Sequence, residues 1–255
     1  ASLRQELGIP LDAPLIASIP HAGTEIPPEI ESELVSPWLA RKDADWWVDR
    51  LYDFAAGLDA TVVRTTISRS VIDVNRDPSG RSLYPGQATT ELCPSTTFDG
   101  EPLYKKNSHS PDTTQIVARR LHYFDPYHAA IADEIARLRD THERVVLFEA
   151  HSIRSRVPRL FEDELPNFNI GTNSGASCAA ELAQTVEAVC NASRFSWISN
   201  ARFKGGCTTR QYCFPQWGVQ AIQLELACRG YMEDPPKISA ANWPEPYDEA
   251  RAGEM

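Results

Sequence analysis

Apolar positions along the chain switch between strand-like runs and helical stripes. Leu15–Ile19 is a short apolar run that stops at Pro20-His21, as a buried strand opening into a loop does. Residues 45–58 put Trp47, Leu51, Phe54 and Leu58 on one stripe at helical spacing, which predicts an amphipathic helix. Residues 61–65 and 70–74 are rich in β-branched side chains and predict two strands. Residues 75–111 show no period and are dense in Pro, Gly, Ser and Thr, which predicts a long loop of the kind that covers a site. Residues 113–141 are helical in pattern, with Pro126 as a break or kink. Residues 144–150 (RVVLFEA) predict a strand ending at His151-Ser152, and residues 175–191 a helix. A short strand at 195–198, a second irregular stretch and a strand at 219–226 carrying Glu225 follow. From Pro235 onward the tail holds four prolines and is expected to wrap the surface.

Alternating strands and helices predict an α/β fold with a mixed, mainly parallel sheet flanked by helices. With no repeat, low-complexity tract or linker, a single domain over residues 1–255 is the simplest arrangement. In such sheets sites gather beyond the carboxyl ends of the strands. His21, Asn75-Arg76, His151 and Glu225 all fall at or near those ends.

Composition narrows the partners. The chain carries 35 acidic and 25 basic residues, a formal charge of −10, which argues against nucleic acid and anionic membranes. No run of eighteen apolar residues offers a membrane span. The first ten residues lack the basic-then-apolar pattern of a signal peptide. Six cysteines without a C-x-x-C pair predict free, reduced thiols and a cytoplasmic location, with Cys178 and Cys190 on one helical stretch. An acidic protein that binds a small anion must concentrate its arginines locally. Arg69, Asn75-Arg76 and Arg210, the last in a loop opened by two glycines, are the candidates.

A hydrolytic metal site needs imidazoles and a carboxylate, with one position left for water. His21 and His151 supply the imidazoles. Taken singly, each also reads as an ordinary hydrogen-bonded histidine at a strand end. His109, His122, His128 and His142 lie in loop or helix surroundings where solvated histidines are usual, and are set aside. For the acid, Asp45 is preferred and Glu25, four residues after His21, competes. Glu225 stands in QAIQLELA with little else charged, and a carboxylate there is costly unless paired or used. It suits a general base beside an activated water, or else a buried salt bridge.

Together the segments IPHAGTEIP, DADWWVDRLYDF, SRSVIDVNRDPSG, FEAHSIRSRVPRLF, GGCTTRQYCFP and AIQLELACRGYM resemble the N-formylglutamate amidohydrolase family, in family order between residues 15 and 232. More distantly the chain is similar to zinc carboxypeptidases and aspartoacylase. The resemblance implies a zinc-carboxypeptidase-like fold and hydrolysis of N-formyl-L-glutamate to L-glutamate and formate in histidine degradation. It implies one divalent ion, Zn2+, on His21, His151 and an acid between them, with Glu225 as the catalytic carboxylate. Asn75-Arg76, joined by Arg69 and Arg210, would anchor the small anionic substrate. Two positions depart from the pattern. The wider relatives carry a ligand Glu three residues after the first His, where this chain has Thr24. Trp47 stands where the family commonly has a histidine, so that histidine is not an essential ligand here. Two other functions remain open: a metallo-amidase for another N-acyl amino acid, and a non-catalytic dicarboxylate-binding protein.

Overall fold

The computed structural model describes residues 12–82 and 86–255. Six strands form its sheet: β1 (Leu15–Ile19), β2 (Thr61–Arg64), β3 (Val145–Ile153), β4 (Phe168–Gly171), β5 (Trp197–Ser199) and β6 (Val219–Ala227). They lie in the order β2-β1-β3-β6-β4-β5, every neighbouring pair parallel except β4 with β6. This is the mixed, mainly parallel sheet that the pattern predicts.

Eight helices accompany it among the described residues: α1 (Pro28–Glu31), α2 (Pro37–Arg41), α3 (Val48–Leu51), α4 (Thr113–Arg119), α5 (Asp125–Arg139), α6 (Ala180–Ala192), α7 (Cys207–Gln211) and α8 (Glu249–Ala252). Both faces of the sheet are buried, as a parallel sheet requires. One core joins Ile16, Leu147 and Ala221 to Ile131 and Leu138 of α5. The other joins Ile19, Ala150, Ile170 and Ile222 to Cys190 of α6 and to Tyr231, Met232 and Trp243. The tail does wrap, as expected: the Trp38 and Trp47 indole N–H groups donate to the carbonyls of Trp243 and Glu245.

From β1 the chain turns outward to β2, then crosses back to β3 on the other side of β1. The sheet therefore changes direction between the ends of β1 and β3, where ligands enter folds of this kind. His21 lies just past one end and His151 near the other.

Three elements differ from expectation. The helix predicted over 45–58 begins only at Val48 and gives way to a 3-10 stretch, Asp53–Leu58. Trp47 takes a left-handed conformation (φ 66°), and the Asp45 amide donates to the His21 carbonyl, so this turn is bent toward the sheet. Phe54 and Leu58 of the expected stripe are 61% and 56% exposed. Residues 70–74 form no strand. Val71, Ile72 and Val74 are buried, but their backbone runs through turns, with the Val71 amide on Ser68 and the Asp73 amide on Leu92. The 113–141 helix persists, with a π-helical segment, Arg120–Phe124, just before Pro126. The extra residue in that turn spares the helix the carbonyl that would clash with the proline ring. The helix predicted at 175–191 starts later, at Ala180, which leaves Cys178 in the approach to it.

Candidate functional site

His21, Asp45 and His151 converge although they stand far apart in sequence. One ligand atom from each lies within 4.8 Å of the others, and all three residues are buried. The Asp45 Oδ2 is 3.6 Å from His21 Nδ1 and 3.1 Å from His151 Nδ1. The Ser152 amide also donates to Asp45 Oδ2. Burial would raise the Asp45 carboxyl, but the charge and hydrogen bonding of His21 and His151 hold it well below its usual range. Glu25, the competing acid, is exposed and accepts a hydrogen bond from Thr66. Asp45, and not Glu25, therefore stands with the two histidines.

Each imidazole has a second partner behind it. His21 Nε2 donates to Asp73 Oδ1 at 2.7 Å, which leaves its buried Nδ1 facing Asp45 without a hydrogen-bond partner among the described residues. Two buried acceptors that face each other repel unless a cation stands between them. His151 Nε2 lies 3.0 Å from the Asn75 side-chain amide and 3.5 Å from Glu149 Oε1. That Glu149 oxygen is likewise buried without a hydrogen-bond partner among the described residues. Burial alone would lower the basicity of His151, but the neighbouring carboxylates of Asp45 and Glu149 push its pKa up to about 10. Two imidazoles and a carboxylate, each oriented from behind by an acid or a backbone amide, make a donor set suited to a divalent metal ion.

Glu225 pairs in register with His151 across β3 and β6. Burial pushes its carboxyl up to about 7; the charge of Asp45 adds to this and that of His151 opposes it. Gln223, two residues back on the same face, donates to Glu225 Oε2 at 3.4 Å and accepts from the Gly206 amide.

These groups line a cavity of 320 Å³ that His21, Arg69, Asn75, Arg76, His151 and Glu225 share. Arg69 is held between Asp45 and Asp73, at 3.3 and 2.7 Å, with its guanidinium over the Phe98 ring. Arg76 donates to the Thr90 carbonyl and hydroxyl and keeps a quarter of its side chain exposed. Asn75 differs from the expected substrate amide: its Nδ2 meets His151 and its Oδ1 accepts from the Thr208 amide. Both ends of the amide thus brace the site. Arg210 turns to the Gly205 carbonyl and does not line the cavity.

Sequence reading missed three contributors. Asp73 sits two residues before Asn75, inside a run read as a β-branched strand. Glu149 reads as part of an apolar strand but is fully buried against Thr209 and His151. His128, set aside as solvated, is buried and bridges the Val74 carbonyl and the Tyr212 hydroxyl. For Glu149 the available signal was its place two positions before His151 on one strand, spacing that puts both on one face.

The sequence model of N-formylglutamate amidohydrolases matches residues 13–232. The chain is 46% identical to an N-formylglutamate deformylase of Pseudomonas aeruginosa over 87% of its own length and 83% of that protein's. It is 43% identical to an N-formylglutamate deformylase of Pseudomonas putida, covering 87% of this chain and 82% of the relative. Its fold superposes on the crystal structure of an N-formylglutamate amidohydrolase from Ralstonia eutropha with a TM-score of 0.75 at 23% identity, covering 96% and 89% of the two chains. A gene product of Agrobacterium tumefaciens is similar at a TM-score of 0.64 and 19% identity, over 85% and 81%. Matched along most of its length, the chain belongs to the N-formylglutamate amidohydrolase family.

Proposed function

We propose that this protein is a metal-dependent deformylase that hydrolyses N-formyl-L-glutamate to L-glutamate and formate. The observation that carries the reading is the buried His21–Asp45–His151 group beside Glu225, opening into an arginine-lined cavity. The deformylase relatives supply the substrate. Histidine degradation in the cytoplasm is the setting the family implies, and six free cysteines agree with a reducing compartment. The donor set, two imidazoles and a carboxylate, is one that zinc favours. When bound there, the ion would supply the positive charge that polarises the formyl carbonyl and eases the loss of a proton from water.

The chain's own residues do the rest. Arg76 holds a substrate carboxylate by charged hydrogen bonds and so aligns the formyl amide with Glu225. Glu225, raised to about 7 by burial, suits both halves of the proton transfer. It takes a proton from the attacking water and delivers it to the amide nitrogen as the C–N bond breaks. Asp73 keeps the His21 Nδ1 lone pair turned inward by accepting the proton on Nε2. Phe98, Leu160 and Phe203 contribute apolar walls that thin the water around the reacting amide.

The test is a substrate panel with metal content measured alongside. N-formylglutamate should be cleaved faster than N-acetylglutamate, N-succinylglutamate and N-formylaspartate, and activity should vanish with chelation and return with zinc. Full turnover of chelated, metal-free protein would remove the metal-dependent reading. Equal rates across the panel would favour a general N-acyl amidase.

A further inference from the structure

We infer that Arg202 is a specificity-determining residue that binds the distal, side-chain carboxylate of the substrate, opposite Arg76. The inference rests on the deformylase reading and extends it to a named anchor.

The cavity borders four arginines: Arg69, Arg76, Arg81 and Arg202. Arg69 is deep, nine-tenths buried, and spanned by Asp45 and Asp73. Its charge serves the histidine–carboxylate cluster. Arg81 is 83% exposed and, among the described residues, pairs with the side chain of Asp77, four residues back. An arginine so open to solvent gains little from holding an anion. Arg76 and Arg202 remain, both half-buried at the cavity wall.

These two grip the same strap of chain. Arg76 Nε donates to the Thr90 carbonyl at 3.1 Å, and Arg202 Nη2 donates to the Ala88 carbonyl at 3.0 Å. Cα atoms two residues apart lie within about 7 Å, so both guanidinium groups are pinned near one short stretch. The two carboxyl carbons of an extended glutamate are about 5 Å apart, four bonds along the chain. A single dicarboxylate can therefore meet both.

The fold sets their order. Arg76 follows Asn75, whose amide touches His151, so it stands near the reacting end and suits the carboxylate next to the amide nitrogen. Arg202 comes from the loop after β5, the edge strand on the far side of the sheet. Its Nε is fixed on the Leu160 carbonyl at 2.9 Å, and its guanidinium lies 5.4 Å from the Phe203 ring. Backbone carbonyls and an aromatic face hold the fork in place, which preserves the two-pronged geometry a carboxylate needs.

The experiment is steady-state kinetics on N-formylglutamate and N-formylglutamine, which differ only at the distal group, a carboxylate against a neutral carboxamide. It uses the wild-type holoenzyme and the variants Arg202→Gln, Arg202→Lys and Arg76→Gln. Arg202→Gln should lower kcat/KM for N-formylglutamate by about ten- to hundredfold, leave N-formylglutamine nearly unchanged, and so erase the preference. Arg202→Lys should restore part of it, and Arg76→Gln should lower both substrates together. A brace for Ala88 and Leu160 alone would cost both substrates equally in Arg202→Gln, and that result would overturn the proposal. So would an unchanged preference in Arg202→Gln. If the wild-type protein cleaves neither compound, the deformylase reading itself falls and the anchor with it.

Discussion

Asp73 accepts a 2.7 Å hydrogen bond from His21 Nε2 and, through its other oxygen, holds Arg69 at 2.7 Å. One carboxylate thereby fixes the tautomer of a candidate ligand and positions a cation at the cavity wall. Burial would raise its pKa, but Arg76, His21 and Arg69 draw it well below the usual carboxylate range. It is ionised whenever the site is at work.

Replacing Asp73 by the isosteric Asn should weaken zinc binding by about 10- to 100-fold, the usual worth of an outer partner to a metal-bound histidine. His21→Ala, His151→Ala and Asp45→Asn should each lose the ion more completely, while Glu25→Gln should bind it normally. Competition against a chelator of known affinity ranks all five. Wild-type affinity in Asp73→Asn would show that His21 needs no orienting acid.

Glu225→Gln separates ligand from catalyst. The variant should retain zinc and bind substrate, yet lose about 10²–10⁴ in kcat, the range of a general base. Elemental analysis of the purified variant is decisive: loss of the ion would move Glu225 into the coordination shell.

Gly206 offers a structural test of the brace around Asn75. A Cβ added there would stand 2.3 Å from Asn75 Nδ2 and 2.5 Å from its Oδ1, so the amide must shift. Gly206→Ala should cost about 1–3 kcal/mol of stability in urea unfolding, as overpacking does, and should lower activity through Asn75 and His151. Gly57, with open space around it, is the control, and Gly57→Ala should change little. Equal stability of the two variants would mean that the Asn75 contact gives way without cost.

What was legible in the chain follows from how local each signal is. β1, β3 and β6 announced themselves because a strand buried on both faces is mostly apolar along its length. His21, His151 and Glu225 were visible as polar residues at the ends of, or inside, those runs. Asp45 was harder, because Asp43, Asp45 and Asp49 look alike in a helix-start pattern. They separate only in three dimensions: Asp45 reaches the histidines, Asp43 accepts from the Phe98 amide, and Asp49 pairs with Arg64 at the surface. Residues 70–74 misled for a related reason. Their β-branched side chains fill the core, yet they have no neighbouring strand to pair with, and propensity cannot see pairing. Arg210 misled because two nearby glycines mark a close approach, which turned out to be that of Gly206 to Asn75. Arg202 was passed over because a lone arginine in an irregular stretch carries no sequence signal at all.

His128 gives the last prediction, because it is a buried histidine held in its neutral form. Its Nε2 donates to the Val74 carbonyl at 2.8 Å, one residue before Asn75, and its Nδ1 meets the Tyr212 hydroxyl at 3.0 Å. The Phe124 ring packs 4.2 Å from it, and Tyr127 lies against its edge. Burial lowers its pKa below the ordinary 6.5; the bond to Val74 and the charges of Glu149 and Asp125 oppose this only in part. A histidine with a lowered pKa binds fewer protons folded than unfolded. Its contribution to stability is therefore fully present above pH 6.5 and is lost as pH falls from there toward the folded-state pKa. His128→Gln keeps a polar side chain at the site but cannot take up that proton. Urea unfolding of both proteins between about pH 7.5 and about pH 5.5 should show the wild type losing more stability than the variant over this interval. The variant starts lower, since it fills the pocket between Val74 and Tyr212 less well, so the two curves should approach each other as the pH drops. Parallel curves would show that His128 titrates alike in the folded and unfolded chains, and the network beneath Asn75 would then be indifferent to its protonation.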